Sequence, residues 1–145
     1  MSTNDKFKRV EAMLYNYKNT VAEIKILKRD LEILENDYRG TGAIGYEEKT
    51  GSTNKFNSDV ENEVIKRAEK IQRIKNKIRL KEIEVANIGD AYESLLEDEQ
   101  LLIRERYFNK KANKYIASIF SVTEQTSCDF KNKVINKLIP LLISD

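Results

Sequence analysis

Apolar residues step by three and four along the first quarter of the chain: Phe7, Val10, Leu14, Tyr17, Val21 and Ile24. After one irregular step the series resumes at Leu27, Leu31, Leu34 and Tyr38. That spacing predicts an amphipathic helix of about eight or nine turns, with Asn4 or Asp5 able to cap its start. From Arg39 to Asn57 the pattern is lost. Gly40, Gly42, Gly45 and Gly51 fall there, among Thr and Ser, and predict a long, poorly ordered connection. Ser58 or Asp59 can cap a second long helix ending near Leu95. In it Val64, Ile71, Ile78, Val85 and Tyr92 recur at seven-residue intervals. Ile74, Ile88 and Leu95 form the alternate seam, which Arg67 and Lys81 interrupt. A sustained heptad predicts a coiled-coil seam, and two long helices joined by one connection fold back most simply as an antiparallel hairpin. The same seams can pair between chains, and because two helices alone leave much apolar surface uncovered a homodimer is expected. Gly89 is expected to be a weak point or hinge late in the second helix.

Beyond Leu95 the periodic segments shorten. Residues Leu96 to Phe108 read as one helix, with Leu101, Leu102, Ile103 and Tyr107 on its apolar side. Asn109 to Asn113 is a polar turn and Lys114 to Phe120 a short helix. Ser121–Val122–Thr123 is a tight turn, and Thr123 can cap a last helix running to about Leu142. Phe130, Val134, Leu138 and Leu141 make that helix's apolar stripe. Pro140 is expected to kink or end it.

Composition narrows the chemistry. The 145 residues hold one Pro and five Gly, too few for a turn-rich β architecture. Histidine is absent, which removes the commonest general acid–base group and the commonest zinc ligand. One cysteine, Cys128, excludes an internal disulfide framework and fits a reducing compartment. No apolar run approaches the length of a membrane span, and a cytoplasmic protein is expected. No Gly loop carries the Lys-Ser/Thr of a phosphate cradle. Glu97, Asp98 and Glu99 are consecutive on a helix and point in different directions, so they read as a helix N-terminal cluster rather than a metal site. No enzyme, metal or cofactor is therefore expected.

The net charge of +2 hides an uneven distribution. Lys66 to Lys81 holds eight bases against Glu69. Glu82 to Gln100 holds seven acids and no base. Arg104 to Lys114 holds five bases against Glu105. Basic faces of this kind suit a polyanion, although a charged run is also what a solvated helix surface looks like.

A short helix, a three-residue turn and a longer helix have the geometry of a helix-turn-helix, although the end of a plain three-helix bundle has the same pattern. Ile116, Ala117 and Ile119 would pack its first helix on the second, Val122 would plug the turn, and Phe130 and Val134 would face the core. The second helix then stands proud enough to enter a major groove. Glu124, Gln125 and Thr126 form its first turn, with Gln125 and Thr126 expected to meet bases. Asp129 lies one turn on as a discriminator, since a carboxylate repels phosphate and accepts only from a base amino group. Lys133 reaches backbone. Arg104, Lys110, Lys111 and Lys114 precede or flank the first helix, the part that crosses the phosphate backbone in such motifs.

The run Leu95–Leu96–Glu97–Asp98–Glu99–Gln100–Leu101–Leu102–Ile103–Arg104–Glu105–Arg106–Tyr107–Phe108 resembles the first helix of the sigma factor C-terminal domain. Ile116–Ala117, Ile119, Val122–Thr123 and Lys137–Leu138 continue in register with that domain's helix-turn-helix. The segment is similar, more closely, to the ArpU/RinA-like phage late-gene regulators, which share a sigma-like C-terminus. Arg106–Tyr107–Phe108, Phe130–Lys131 and Ile135–Asn136–Lys137–Leu138 carry that likeness. It covers Ala91 to Leu142, and departs from the family where Ser127, Cys128 and Asp129 stand in place of aromatic and Arg residues. The resemblance implies sequence-specific binding of double-stranded DNA and activation of late genes, with contact to RNA polymerase left open.

The expected fold is all-α: a helical hairpin or coiled coil over residues 1–90 (connection 39–57), then a sigma-like helix-turn-helix domain over 91–145. Two other functions share these features. A small terminase subunit joins a helix-turn-helix to an oligomerisation region for DNA packaging, and a coiled-coil scaffold would use the C-terminal helices to bind protein only.

Overall fold

The computed structural model describes residues 2–47 and 54–144, with side chains outside 38–58. The fold is all-α. The helices are α1 (Thr3–Tyr15), α2 (Tyr17–Glu47), α3 (Asn54–Glu93), α4 (Glu97–Ile103), α5 (Asn113–Phe120) and α6 (Glu124–Leu142), with a π-helical turn at Arg104–Phe108 after α4.

Several expected boundaries move. The first predicted helix is two, parted at Asn16, whose carbonyl accepts both the Thr20 N–H at 2.9 Å and the Thr20 hydroxyl at 3.0 Å. A hydroxyl bonding back one turn competes with the helical ladder and disturbs it locally. The cap of α1 is Ser2, not Asn4 or Asp5; its Oγ accepts from the Asp5 N–H at 3.1 Å. The connection expected over Arg39–Asn57 is helical as far as Glu47 and again from Asn54. Its remainder lies outside the described residues. Glycine costs about 1 kcal/mol in a helix but keeps its N–H, so an established helix can propagate through it. Because α3 starts at Asn54, Ser58 and Asp59 lie inside it rather than capping it.

Contacts divide the chain into two units, residues 22–82 and residues 1–21 with 83–145. This differs from the division expected after residue 90: α1 belongs with the C-terminal helices. The 22–82 unit is the antiparallel hairpin. Glu23 pairs with Lys81 at 2.7 Å and Lys28 with Glu82 at 3.0 Å, while Asp30, Ile33, Leu34 and Asp37 share a groove with Lys70 and Ile74. The hydrogen bond and charge of Lys81 hold the Glu23 carboxyl below its ordinary range. Ile24 and Ile78 are buried in the seam; Leu27, Leu31, Leu34, Ile71 and Ile74 are half-buried. The heptad fades at Val64, which is exposed. Arg67 and Lys81, which interrupt the seam, are half-buried and paired, Arg67 to Glu63 at 3.8 Å.

The other unit has one core. Val10 and Leu14 of α1 meet Ile88, Ala91, Leu95, Leu102, Ile103, Tyr107, Ile116, Val134, Ile135 and Leu138. The helix expected over Leu96–Phe108 turns α-helical to π-helical at Arg104, where the Asn109 N–H reaches the Arg104 carbonyl at 2.8 Å. A π turn takes one extra residue. Here Tyr107 is buried, and Phe108 packs between Tyr17 (centroids 4.8 Å) and Tyr92 (5.6 Å). Tyr107 donates to a Glu11 carboxylate oxygen at 2.6 Å, tying α1 to the π turn. Burial first, and then this bond, push its phenol well above the ordinary tyrosine range. Glu99 is buried and accepts from the Leu96 N–H and from Lys137, both at 2.9 Å. Burial alone would raise its carboxyl, but Lys137 and the backbone N–H outweigh that and hold it low. Among the described residues no helix is long and apolar enough to cross a membrane.

Candidate nucleic-acid interface

The short helix, turn and long helix lie where the sequence puts them. α5 ends at Ser121, which is left-handed (φ 55°, ψ 44°). The Val122 N–H reaches the Ala117 carbonyl at 3.0 Å and the Ser121 N–H reaches the Ser118 carbonyl at 3.2 Å. This 6→1 and 5→2 pair is a Schellman closure, which satisfies two end carbonyls and reverses the chain. Thr123 is extended (φ −73°, ψ 161°), and its Oγ1 accepts from the Thr126 N–H at 3.1 Å, capping α6. The Asn113 side chain donates to the Glu124 carbonyl at 2.9 Å, which braces the start of α5 against the start of α6.

Burial sets the faces. Ser127, Val134, Ile135 and Leu138 turn α6 inward, and Ile116 and Ala117 do the same for α5. Phe130 meets Phe120 edge-on at 5.6 Å. Two expected core residues are not there: Ile119 is 37% and Val122 38% exposed. The backbone bonds around Ser121 close the turn without a side-chain plug. Pro140 lies in the last turn of α6, which runs on to Leu142. A proline has no N–H to give, yet a single missing bond at a helix end costs little continuity.

Of the expected base readers, Glu124, Gln125, Thr126 and Asp129 are all exposed, as is Lys133. The Gln125 amide donates to Asp129 at 3.0 Å, so the structure brings these two together. The Thr123 hydroxyl donates to the Thr126 hydroxyl at 2.9 Å, leaving the Thr126 methyl and its own O–H hydrogen free. Sequence reasoning passed over Asn132 and Asn136. They follow Gln125 and Asp129 at steps of three and four on the same outer face, and the 3.6 periodicity alone could have nominated them. Asn is one of the side chains able to bond adenine at two points.

The flanking bases differ in freedom. Lys114 is exposed. Lys110, itself left-handed (φ 56°), lies 4.6 Å from the Tyr15 ring, and Lys111 lies 5.4 Å from the Tyr115 ring. Such contacts orient a cation while leaving it charged and wet. Arg104 donates to the Tyr92 hydroxyl at 3.0 Å and lies 4.0 Å from Glu105, so it is held by the protein's own surface. Arg106 is structural in part: it donates to the Lys111 carbonyl at 3.3 Å and shapes the 109–112 turn. Comparison with protein-family models, curated proteins and solved structures gives no match to this chain.

Proposed function

We propose that this protein is a non-enzymatic, sequence-specific DNA-binding transcription regulator of the phage type, acting as a homodimer on double-stranded DNA. One observation carries the reading. A Schellman-closed turn and a Thr-capped helix present Gln125, Asp129, Asn132, Lys133 and Asn136 on the side of α6 that the core does not use. An α-helix with a polar, hydrogen-bonding outer face fits a major groove, where side-chain amides distinguish base pairs. Lys110, Lys111 and Lys114 precede or open α5, the helix that lies across the backbone in such motifs. Activation of late genes comes from the ArpU/RinA-like resemblance of residues 91–142.

The homodimer draws support from the hairpin. Ile26, Ile33, Ile65 and Leu80 are each more than half exposed, which is more apolar surface than a small monomeric unit usually leaves open. Selection of binding sites from random duplex DNA tests the function directly. An enriched motif with a two-fold repeat is the expected outcome. Recovery of unselected DNA alone would reject a specific regulator, and a large ring by sedimentation would favour a packaging subunit.

A further inference from the structure

A second charged surface lies on α3, within the hairpin unit. Lys66, Lys70, Arg73 and Lys77 follow one another by four, three and four residues and therefore share one face of the helix. All four are exposed, and none has an ion-pair partner among the described residues. Their neighbours behave differently. Arg67 and Lys81 are half-buried and paired within the unit. Asp30 and Asp37 line the same groove as Lys70 but pair with none of the four. The stripe rises about 16 Å along α3. Like charges one turn apart destabilise a helix; Lys77 acts on Glu23 and Lys70 shares a groove with Asp30 and Asp37, yet none of these acids closes an ion pair with the stripe, so an external polyanion would relieve it.

We propose that this stripe is a second phosphate-contact surface, which holds the backbone of duplex DNA outside the segment that α6 reads. The proposal rests on the DNA-binding reading above. Three of the four are Lys, compact point charges that suit sequence-independent contact better than bidentate readout. A linear row of cations matches a linear row of phosphates. A membrane surface fits less well. An interfacial helix needs an open, continuous apolar face beside its basic one; on α3 Ile71, Ile74 and Ile78 are taken up by the seam with α2, and the exposed Ile65 and Leu80 are separated by Glu69, Gln72 and Asn76.

The test is the salt dependence of binding to random-sequence duplex DNA, measured by fluorescence anisotropy on the full chain. Lys66→Gln, Lys70→Gln, Arg73→Gln and Lys77→Gln together should flatten the slope of log K against log salt by up to about 3.6, at ~0.9 per phosphate contact. The pair Lys66→Gln and Arg73→Gln should give half of that. A charge-matched control, Lys25→Gln, Arg29→Gln, Lys75→Gln and Arg79→Gln, removes four exposed bases of the same unit that lie off the stripe, and should leave the slope nearly unchanged. Equal slopes for the stripe variant and the wild type, or equal losses in stripe and control, would overturn the proposal. A third variant, Lys110→Gln, Lys111→Gln and Lys114→Gln, separates the two surfaces. If it alone flattens the slope, the helix-turn-helix reading stands and the stripe fails. If the stripe variant alone does, the stripe stands and that reading fails. Wild-type protein that binds phosphatidylserine vesicles but no duplex DNA would overturn both.

Discussion

Removing one hydroxyl should loosen the attachment of α1. The Tyr107 ring is buried, and its O–H donates to Glu11 at 2.6 Å across 96 residues of sequence. Tyr107→Phe keeps the ring and deletes only the donor. A hydrogen bond to a charged group contributes about 1.5–3 kcal/mol. Glu11 keeps Lys131 at 3.4 Å, so its carboxylate is not stranded, and the lower end, about 1.5 kcal/mol, applies. For a chain of this size 1 kcal/mol moves Tm by about 2–4 °C, so Tm should fall by about 3–6 °C at pH 7. The pH dependence adds a second test. Because folding raises the phenol's pKa, its contribution is fully present below the ordinary tyrosine value of about 10 and is lost above it. The gap between wild type and Tyr107→Phe should therefore be flat to about pH 10, then shrink by up to about 1.4 kcal/mol per pH unit. Thermal and urea unfolding followed by circular dichroism measure both. A Tm within a degree or so of wild type, or a gap that widens above pH 10, would refute the argument.

Gly89→Ala should stabilise the protein by about 0.5–1 kcal/mol, since Gly89 lies inside α3 and an added Cβ meets nothing within 4 Å; a loss of stability in urea would contradict this. Glu99→Gln keeps an acceptor for Leu96 but loses the charge facing the half-exposed Lys137, at a cost of about 1 kcal/mol at neutral pH. Folding depresses the Glu99 pKa, so the wild-type advantage is present above the ordinary carboxylate value and should fade as pH falls below about 4; an advantage undiminished at pH 2 would be the wrong sign. Gln125→Ala should weaken binding to the selected DNA site by about 1–3 kcal/mol and leave random DNA nearly unaffected. Asp129→Ala both removes a repulsive charge and frees the Gln125 amide, so it should tighten random binding while relaxing preference; unchanged affinities in both variants would mean that α6 is not the reader.

Helix content, the hairpin's inner seam and the succession of short helix, turn and long helix over 113–142 were all legible from residue order, because each depends on local rules. Period 3.6 against period 7, the scarcity of Gly and Pro, and a Thr three residues after a helix ends are visible without any long-range contact. The cap at Thr123 and the setting of Gln125, Asp129, Asn132 and Asn136 on one face follow from that local geometry. What tertiary structure alone decided were the partners. The apolar stripe of α1 reads like more coiled coil, yet Val10 and Leu14 share a buried core with Ile103, Tyr107 and Val134, far along the sequence, so α1 belongs with the C-terminal core rather than the hairpin. The burial of Tyr107 on the π turn and the capture of Arg104 by Tyr92 likewise depend on what packs beside them. A periodic pattern says that a face must be covered but not by what. Which of several equally apolar faces meet is settled by the shape of the whole core, which no window of the sequence contains.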